Sequence, residues 1–284
     1  MSMRLSIITI NYNDQEGLLK TVRSVVGQSV QPYEFIVIDG GSTDGSREVI
    51  EEFKSAFSYW VSEKDKGIYN AMNKGIDRAS GEWCLFLNAG DILHDNNVLS
   101  SLDKADIHTD IVCGNVWVLT EQPYLKKAPD SISMDYLYGN TICHQSALIR
   151  TEILKKHHYD ESLRIVSDRK LFLQALILDN ASYQHVDVDL ADYDVNGFSS
   201  KNRFLSEQEY RGVLEDMLPA RILADYGKRS EGALFGVTPY EKMFLEIGKR
   251  KYRRPVYRIV RSLMVVISWF KPGASFVKAF PKKP

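Results

Sequence analysis

Cysteine is scarce: Cys84, Cys113 and Cys143 are the three in 284 residues, and no two of them form a CxxC pair. That excludes a disulfide scaffold and a Cys-ligated structural zinc site, and it suits a reducing, cytoplasmic compartment. Long hydrophobic runs are missing too. The longest uncharged stretch of the apolar C-terminal tail, residues 262–270, is nine residues, against about 20 for a bilayer span. The apolar run near the N-terminus is too short for a signal-peptide core, so secretion is not expected. Neither GxGxxG nor GxxxxGK[ST] occurs, so neither a dinucleotide fingerprint nor a P-loop is supported. Acidic residues stop at Glu246, after which eleven Lys and Arg follow, so the net charge of −1 conceals a body at −12. An acidic body argues against a nucleic-acid partner, whereas the basic tail suits an anionic membrane surface.

Apolar residues make up 44% and charged residues 26%, proportions of a globular chain long enough for one large domain or a domain with an appendage. The first half alternates strand-like and helix-like runs. Residues 5–10 read as a strand and Leu18, Leu19, Val22, Val25 and Val26 share one helical face. Residues 35–38, 59–61 and 83–87 read as further strands, with helices from about Ser46 and over 69–76 between them. Continuous apolar strands joined by helical crossovers predict an α/β fold, with a mostly parallel sheet covered on both faces and ligands at the strands' carboxyl ends. The middle section mixes β-rich and helical runs and continues the same domain. From Phe204 the pattern is helical, with Pro255 and Pro272 as breaks.

The strand ends carry the chemistry. FIVIDGGSTDGSRE sets Asp39 and Asp44 in a Gly-rich turn before a helix, where carboxylates can accept hydrogen bonds from a base or ribose or simply make an Asx turn and a helix cap. SEKDKGIYNAMNKGI places Lys66 and Gly67 just ahead of a helix. Its amides suit a diphosphate, although Lys66 and Lys74 also read as solvated charges. GEWCLFLNAGDIL ends an apolar strand in Asn88 and Asp91, oxygen ligands suited to a hard divalent cation, or else a plain NAGD turn.

In this order and spacing, VIDGGSTDGS, SEKDKGIYNAMNKGI and FLNAGD resemble the inverting family 2 glycosyltransferases of GT-A (Rossmann-like) fold, in the branch that builds colanic acid, O-antigen and capsule. The resemblance covers roughly residues 4–200. It implies a nucleotide-sugar donor pocket, most often for a uridine diphosphate sugar, formed by Thr9, Asn11, Tyr12, Asp39, Gly41, Asp44, Lys66, Gly67, Asn70, Asn88 and Ala89. It assigns Mn²⁺ or Mg²⁺ to Asp91. Two positions depart from the pattern: the usual Asp-x-Asp metal motif reads Asn88-Ala89-Gly90-Asp91, and Asn70 stands where the branch commonly has Asp.

The resemblance also aligns ICHQSALIR with the family's His-containing strand, which would turn His144 and Gln145 toward donor sugar and acceptor; on its own, a His in an apolar strand reads as a core residue. LRIVSDRKLFLQAL puts Asp168 in the first turn of an amphipathic helix with Ser167 as its expected cap. The helix dipole alone favours an acid there, while the resemblance makes Asp168 the catalytic base. DYDVNGFSSKNR resembles the branch's Gly- and Ser-containing loop, with Lys201 or Arg203 near phosphate. Residues 1–203 therefore read as a GT-A-like catalytic domain and 204–284 as a helical extension ending in a basic amphipathic tail, peripheral at the inner face of the cytoplasmic membrane. The expected acceptor is a saccharide, lipid-linked if the resemblance holds. A nucleotidyltransferase would need a Gly-rich, basic N-terminal loop that is absent, and a catalytically weak nucleotide-sugar binder or a membrane scaffold is the remaining alternative.

Overall fold

A computed structural model describes residues 3–31, 34–194 and 202–230. The basic tail and the loop 195–201 lie outside the described residues. The chain divides into two compact units, Met1–Met217 and Leu218–Pro284. In the second, the described residues form the helix Ala220–Ser230.

The first unit is built on one nine-stranded sheet. Its opening half follows the apolar runs: β1 (Leu5–Asn11), α1 (Gln15–Val26), β2 (Glu34–Asp39), α2 (Ser46–Phe53), β3 (Tyr59–Ser62), α3 (Ile68–Arg78) and β4 (Trp83–Phe86). Every residue of β1 and of β4 is buried, as a strand covered on both faces requires. Strands β3, β2, β1 and β4 run parallel and in register, so Asn11, Asp39 and Ser62 form a row at one sheet edge.

Next come β5 (Ile92–Leu93), α4 (Val98–Lys104), β6 (Ile111–Leu119), β7 (Tyr124–Lys126), α5 (Met134–Gly139), β8 (Ala147–Arg150), α6 (Thr151–His157), α7 (Ser167–Leu173), β9 (Tyr183–Asp194) and α8 (Arg203–Met217). The sheet order is β3-β2-β1-β4-β8-β6-β9-β5, with β7 on β6. The sheet is mixed rather than all parallel, because β8 is antiparallel to both β4 and β6. Alternation along the strands divides the core between the two faces. One packs Ile8, Ile10, Ile36 and Ile38 against Met72 and Ile76 of α3 and Phe172 of α7. The other packs Leu5, Ile7 and Val37 against Leu18 and Val22 of α1, Ile50 of α2 and Leu99 of α4.

Two local expectations are corrected. His144 is not in a strand: His144–Ser146 form a 3₁₀ turn ahead of β8. Ser167 does not cap α7 but begins it, with Val166 at the cap position, and its hydroxyl instead accepts the Asp160 amide at 2.5 Å.

Candidate functional site

Parallel strands deliver their carboxyl ends to one edge, and the chemistry-bearing residues collect there. Asp39, fully buried, is the organiser of the first turn. Its Oδ1 accepts Asn11 Nδ2 (2.8 Å) and Ser42 Oγ (2.5 Å), and its Oδ2 accepts Ser62 Oγ (2.6 Å) and the amides of Ser42 (3.0 Å) and Gly41 (3.2 Å). Burial alone would raise this carboxyl, but hydroxyl donation from Ser42 and Ser62, then the Ser42 amide and Asn11, outweigh it and hold the group below the usual carboxylate range. Gly41 has φ +81° and an added Cβ would lie 3.1 Å from the Lys64 amide nitrogen, so both conformation and space require glycine. With Asp39 spent on this network, the groups left free are Thr9 Oγ1 and Asn11 Oδ1, both buried without a hydrogen-bond partner. Tyr12 beside them is two-thirds exposed, a ring available for stacking. Asp44 lies further out and ties two helices: its carboxylate accepts the Gln15 amide (2.8 Å) and the Ser46 amide and hydroxyl (3.1 and 2.6 Å). That is the turn-and-cap geometry.

At the start of α3, Gly67 has φ +124°, and a Cβ there would meet nothing within 4 Å. This glycine is demanded by its conformation and leaves open space over the turn. Lys66 is exposed, and its amide donates to Asn70 Oδ1 (3.2 Å). Asn70 Nδ2 in turn donates to Glu161 Oε2 (3.0 Å) and Asn73 Nδ2 to Glu161 Oε1 (3.0 Å). These donations, the Asn73 bond first, hold the Glu161 carboxyl below its usual range. The amide at position 70 is thereby explained, because an aspartate would set a second carboxylate against Glu161. Asn70→Asp is expected to destabilise the protein by about 1 kcal/mol at neutral pH, with the loss shrinking below about pH 5 as one of the pair takes up a proton. Thermal melts at pH 7 and pH 4.5 check this.

After β4 the chain turns at Asn88-Ala89-Gly90-Asp91. The Asn88 amide donates to Asp91 Oδ2 (3.2 Å) and the Ala89 amide to the Ile10 carbonyl (3.0 Å). Thr21 of α1 holds the turn from below, its hydroxyl donating to the Asp91 carbonyl (2.7 Å) and accepting the Gly90 amide (3.0 Å). Burial pushes the Asp91 carboxyl up to about 7, against lowering by His144, the Asn88 amide and the Gln145 side chain. Because β8 runs antiparallel to β4, the residues before it arrive at this same edge. Asn88 Nδ2 lies 3.2 Å from His144 Nε2, and His144 Nδ1 lies 3.3 Å from Asp168 Oδ2. A neutral imidazole satisfies both contacts with Nδ1–H donating to Asp168 and Nε2 accepting from Asn88. Burial would lower the His144 pKa, but the Asp168 hydrogen bond and the charges of Asp168 and Asp91 outweigh it and hold it above the usual value.

The structure thus joins Asp91, Asn88, Gln145, His144 and Asp168 in one hydrogen-bonded chain. Among the described residues no group of three or more His, Cys, Asp or Glu is arranged to hold a metal. The oxygens present nevertheless fit a hard cation: the Asp91 carboxylate and, in the same turn, Asn88 Oδ1, which is buried and has no partner. Such a pair leaves the remaining coordination to oxygens of a ligand.

Sequence reasoning missed Thr21, Ser42, Ser62, Asn73 and Glu161. Of these Thr21 left a signal, a hydroxyl in the apolar stripe of α1 between Leu18 and Val25, and Ser42 another, three residues after Asp39 in the Asx-turn pattern; Ser62, Asn73 and Glu161 act through contacts no local pattern encodes.

The family model described as "Glycosyl transferase family 2" matches residues 6–171. An uncharacterised glycosyltransferase of Mycobacterium tuberculosis is 31% identical over 205 residues, 69% of this chain and 77% of that protein. A PGL/p-HBAD biosynthesis glycosyltransferase of Mycobacterium bovis is 26% identical over 212 residues, 72% of this chain and 81% of that protein. Among solved structures, residues 1–349 of S. aureus TarS in complex with UDP-GlcNAc superpose with a TM-score of 0.61 at 19% identity, over 75% of this chain and 64% of that chain.

Proposed function

Since the chain belongs to glycosyl transferase family 2 and has a GT-A-type fold, we propose that it moves a hexosyl or N-acetylhexosaminyl group from a uridine diphosphate sugar, with inversion, to a hydroxyl of a saccharide acceptor. The observation that carries this reading is the chain of contacts from Asp91 through Asn88 and His144 to Asp168. It supports the reading by bringing oxygens suited to a cation and a carboxylate suited to a base to one sheet edge. The UDP-GlcNAc in the TarS complex supports the donor class, and the eleven cations of the C-terminal tail suit a lipid-linked acceptor in surface-polysaccharide assembly. Among the described residues no helix is long and apolar enough to cross a membrane.

The mechanism follows from the residues. Tyr12 stacks the base, and Thr9 Oγ1 and Asn11 Oδ1 supply the buried polar groups of the nucleoside pocket. At the open turn of Lys66 and Gly67, whose own amides are given to Asn70 Oδ1 and Asp65 Oδ1, the exposed Lys66 ammonium meets the diphosphate. A saccharide hydroxyl is far too weak an acid to ionise in neutral water, so Asp168 takes its proton as attack on the anomeric carbon develops. His144, held between Asn88 and Asp168, fixes that carboxylate's direction, and Gln145 does the same for Asp91. Asp91 and Asn88 Oδ1 would hold Mn²⁺ or Mg²⁺, which when bound neutralises charge on the departing diphosphate. Attack from the face opposite the diphosphate needs no covalent intermediate.

Calorimetry with UDP, GDP, dTDP and CMP, each with and without Mn²⁺, tests the donor class. Selective UDP binding is expected, strengthened at least tenfold by Mn²⁺, with Asp91→Ala removing the strengthening. Failure of every nucleotide to bind would overturn the transferase reading in favour of a scaffold.

A further inference from the structure

The motif at the start of α3, read above as a diphosphate turn, does a second thing. Its side chains at positions 69, 70 and 73 hold the segment that leads to Asp168, while Asn70 Oδ1 also accepts the Lys66 amide of that turn. Asn73 exchanges two hydrogen bonds with Tyr159, its Oδ1 accepting the Tyr159 amide (2.8 Å) and its Nδ2 donating to the Tyr159 carbonyl (2.9 Å). Asn70 and Asn73 together hold Glu161. Tyr69, buried and stacked on Tyr159 with ring centroids 5.5 Å apart, reaches furthest. Its hydroxyl donates to the Ile165 carbonyl at 2.5 Å and accepts the Ser167 amide at 3.1 Å.

The same short stretch is held from its other side by α8. Glu209 Oε1 accepts the Arg164 amide and Oε2 the Ile165 amide, both at 2.9 Å. At the next residue, Tyr210 donates to the Leu137 carbonyl (2.6 Å), and its ring centroid lies 3.3 Å from the Arg169 guanidinium carbon. Three amides and one carbonyl of residues 164–167 are thus tied to two side chains, each more than forty positions away in sequence. Hydroxyl and carboxylate bonds of this kind fix a backbone turn that packing alone would leave free to shift.

We propose that Tyr69 is the positioning residue for Asp168, with Glu209 as its counter-anchor, and that it links occupancy of the turn at Lys66 and Gly67 to the rigidity of the turn that carries the base. The inference rests on the transferase reading above. Nucleotide that orders residues 66–68 orders the first turn of α3, and the Tyr69 hydroxyl passes that order to Ser167, one residue short of Asp168. Linkage is reciprocal, so an acceptor that settles Asp168 also tightens nucleotide binding.

Hydrogen exchange on the full chain, with UDP and Mn²⁺ as the probe, tests it. In the wild-type protein, UDP is expected to slow exchange of the amides of residues 164–169 at least fivefold. Tyr69→Phe, which removes only the hydroxyl, should bind UDP within about twofold of wild type yet lose that slowing, and kcat should fall at least tenfold with the donor KM unchanged. A merely structural tyrosine would lower the melting temperature without separating these two readouts. Glu209→Gln keeps the Tyr69 bonds, so its exchange at 164–169 is faster without nucleotide and still slowed by it. Tyr69→Phe with wild-type slowing, or wild-type protein that binds UDP without slowing, overturns this inference and leaves the transferase reading standing. Wild-type protein that binds no nucleotide overturns both.

Discussion

Replacing Asp168 by Asn is expected to lower kcat by about 10²–10⁴-fold, the range over which a positioned general base contributes, while the Kd for UDP stays within about twofold. The amide keeps the shape of the carboxylate and can still meet the Arg169 backbone amide, which donates to Asp168 Oδ1 at 2.8 Å. What it loses is the capacity to take a proton from the acceptor. A second readout separates this from general damage. Two of the three interactions that raise the His144 pKa come from Asp168, its hydrogen bond and its charge, so in Asp168→Asn the imidazole should titrate lower. An NMR titration of His144 alongside turnover with a UDP-sugar checks both. Turnover within threefold of wild type would remove Asp168 from the role of base.

The largest effect on stability is expected at Asp39. Asp39→Asn puts an NH₂ group among five donors that now converge on two carboxylate oxygens. At least two of those donors lose their acceptor in a fully buried position. The cost is about 3 kcal/mol, or a fall in Tm of about 10 °C for a unit of this size. The pH dependence has a fixed sign. The folded carboxyl titrates below its ordinary value of 3.8, so its contribution is complete above that value and is lost as pH falls through the lower folded pKa. The gap between wild type and variant is therefore full from about pH 5 upward and narrows toward pH 3. A gap that widens on acidification would contradict the assignment. Nucleotide binding should fall with it, since Asp39 holds Asn11 and the turn carrying Ser42.

The parallel half of the fold was legible because its signals are local. Apolar runs three to six residues long, broken by Asp39-Gly40-Gly41 and by Lys66-Gly67, locate β1 to α3 within a residue or two of where they lie. The edge where Asn11, Asp39, Asn88 and Asp91 gather follows from parallel strands alone. What was not legible depends on pairings across long stretches of chain. Nothing within ICHQSALIR says that β8 runs antiparallel between β4 and β6, so the sequence placed His144 in a strand when it stands in the turn before one. Ser167 has the composition of a helix cap, but the Asp160 amide takes its hydroxyl. Glu209 and Tyr210 come from a helix that sequence reading assigned to the extension, and their partners at Arg164, Ile165 and Arg169 are some forty residues earlier. Tyr69 was in plain view inside a recognised motif, and only its buried hydroxyl shows what it reaches.

The insertion of β8 between β4 and β6 also governs the order in which the molecule can be made. Strands β4 and β6 are complete by residue 119, yet their shared partner begins at Ala147. A nascent chain that has emerged as far as α5 therefore carries two apolar strands, each with a row of unpaired amides and carbonyls and nothing yet able to close the gap. Such edges are templates for pairing with a neighbouring chain. The late arrival of Ala147–Arg150 closes this gap, with β9 still to pair along the other side of β6, and in the same event brings His144 to Asn88, so closing the gap and joining the two halves of the candidate site are one folding step.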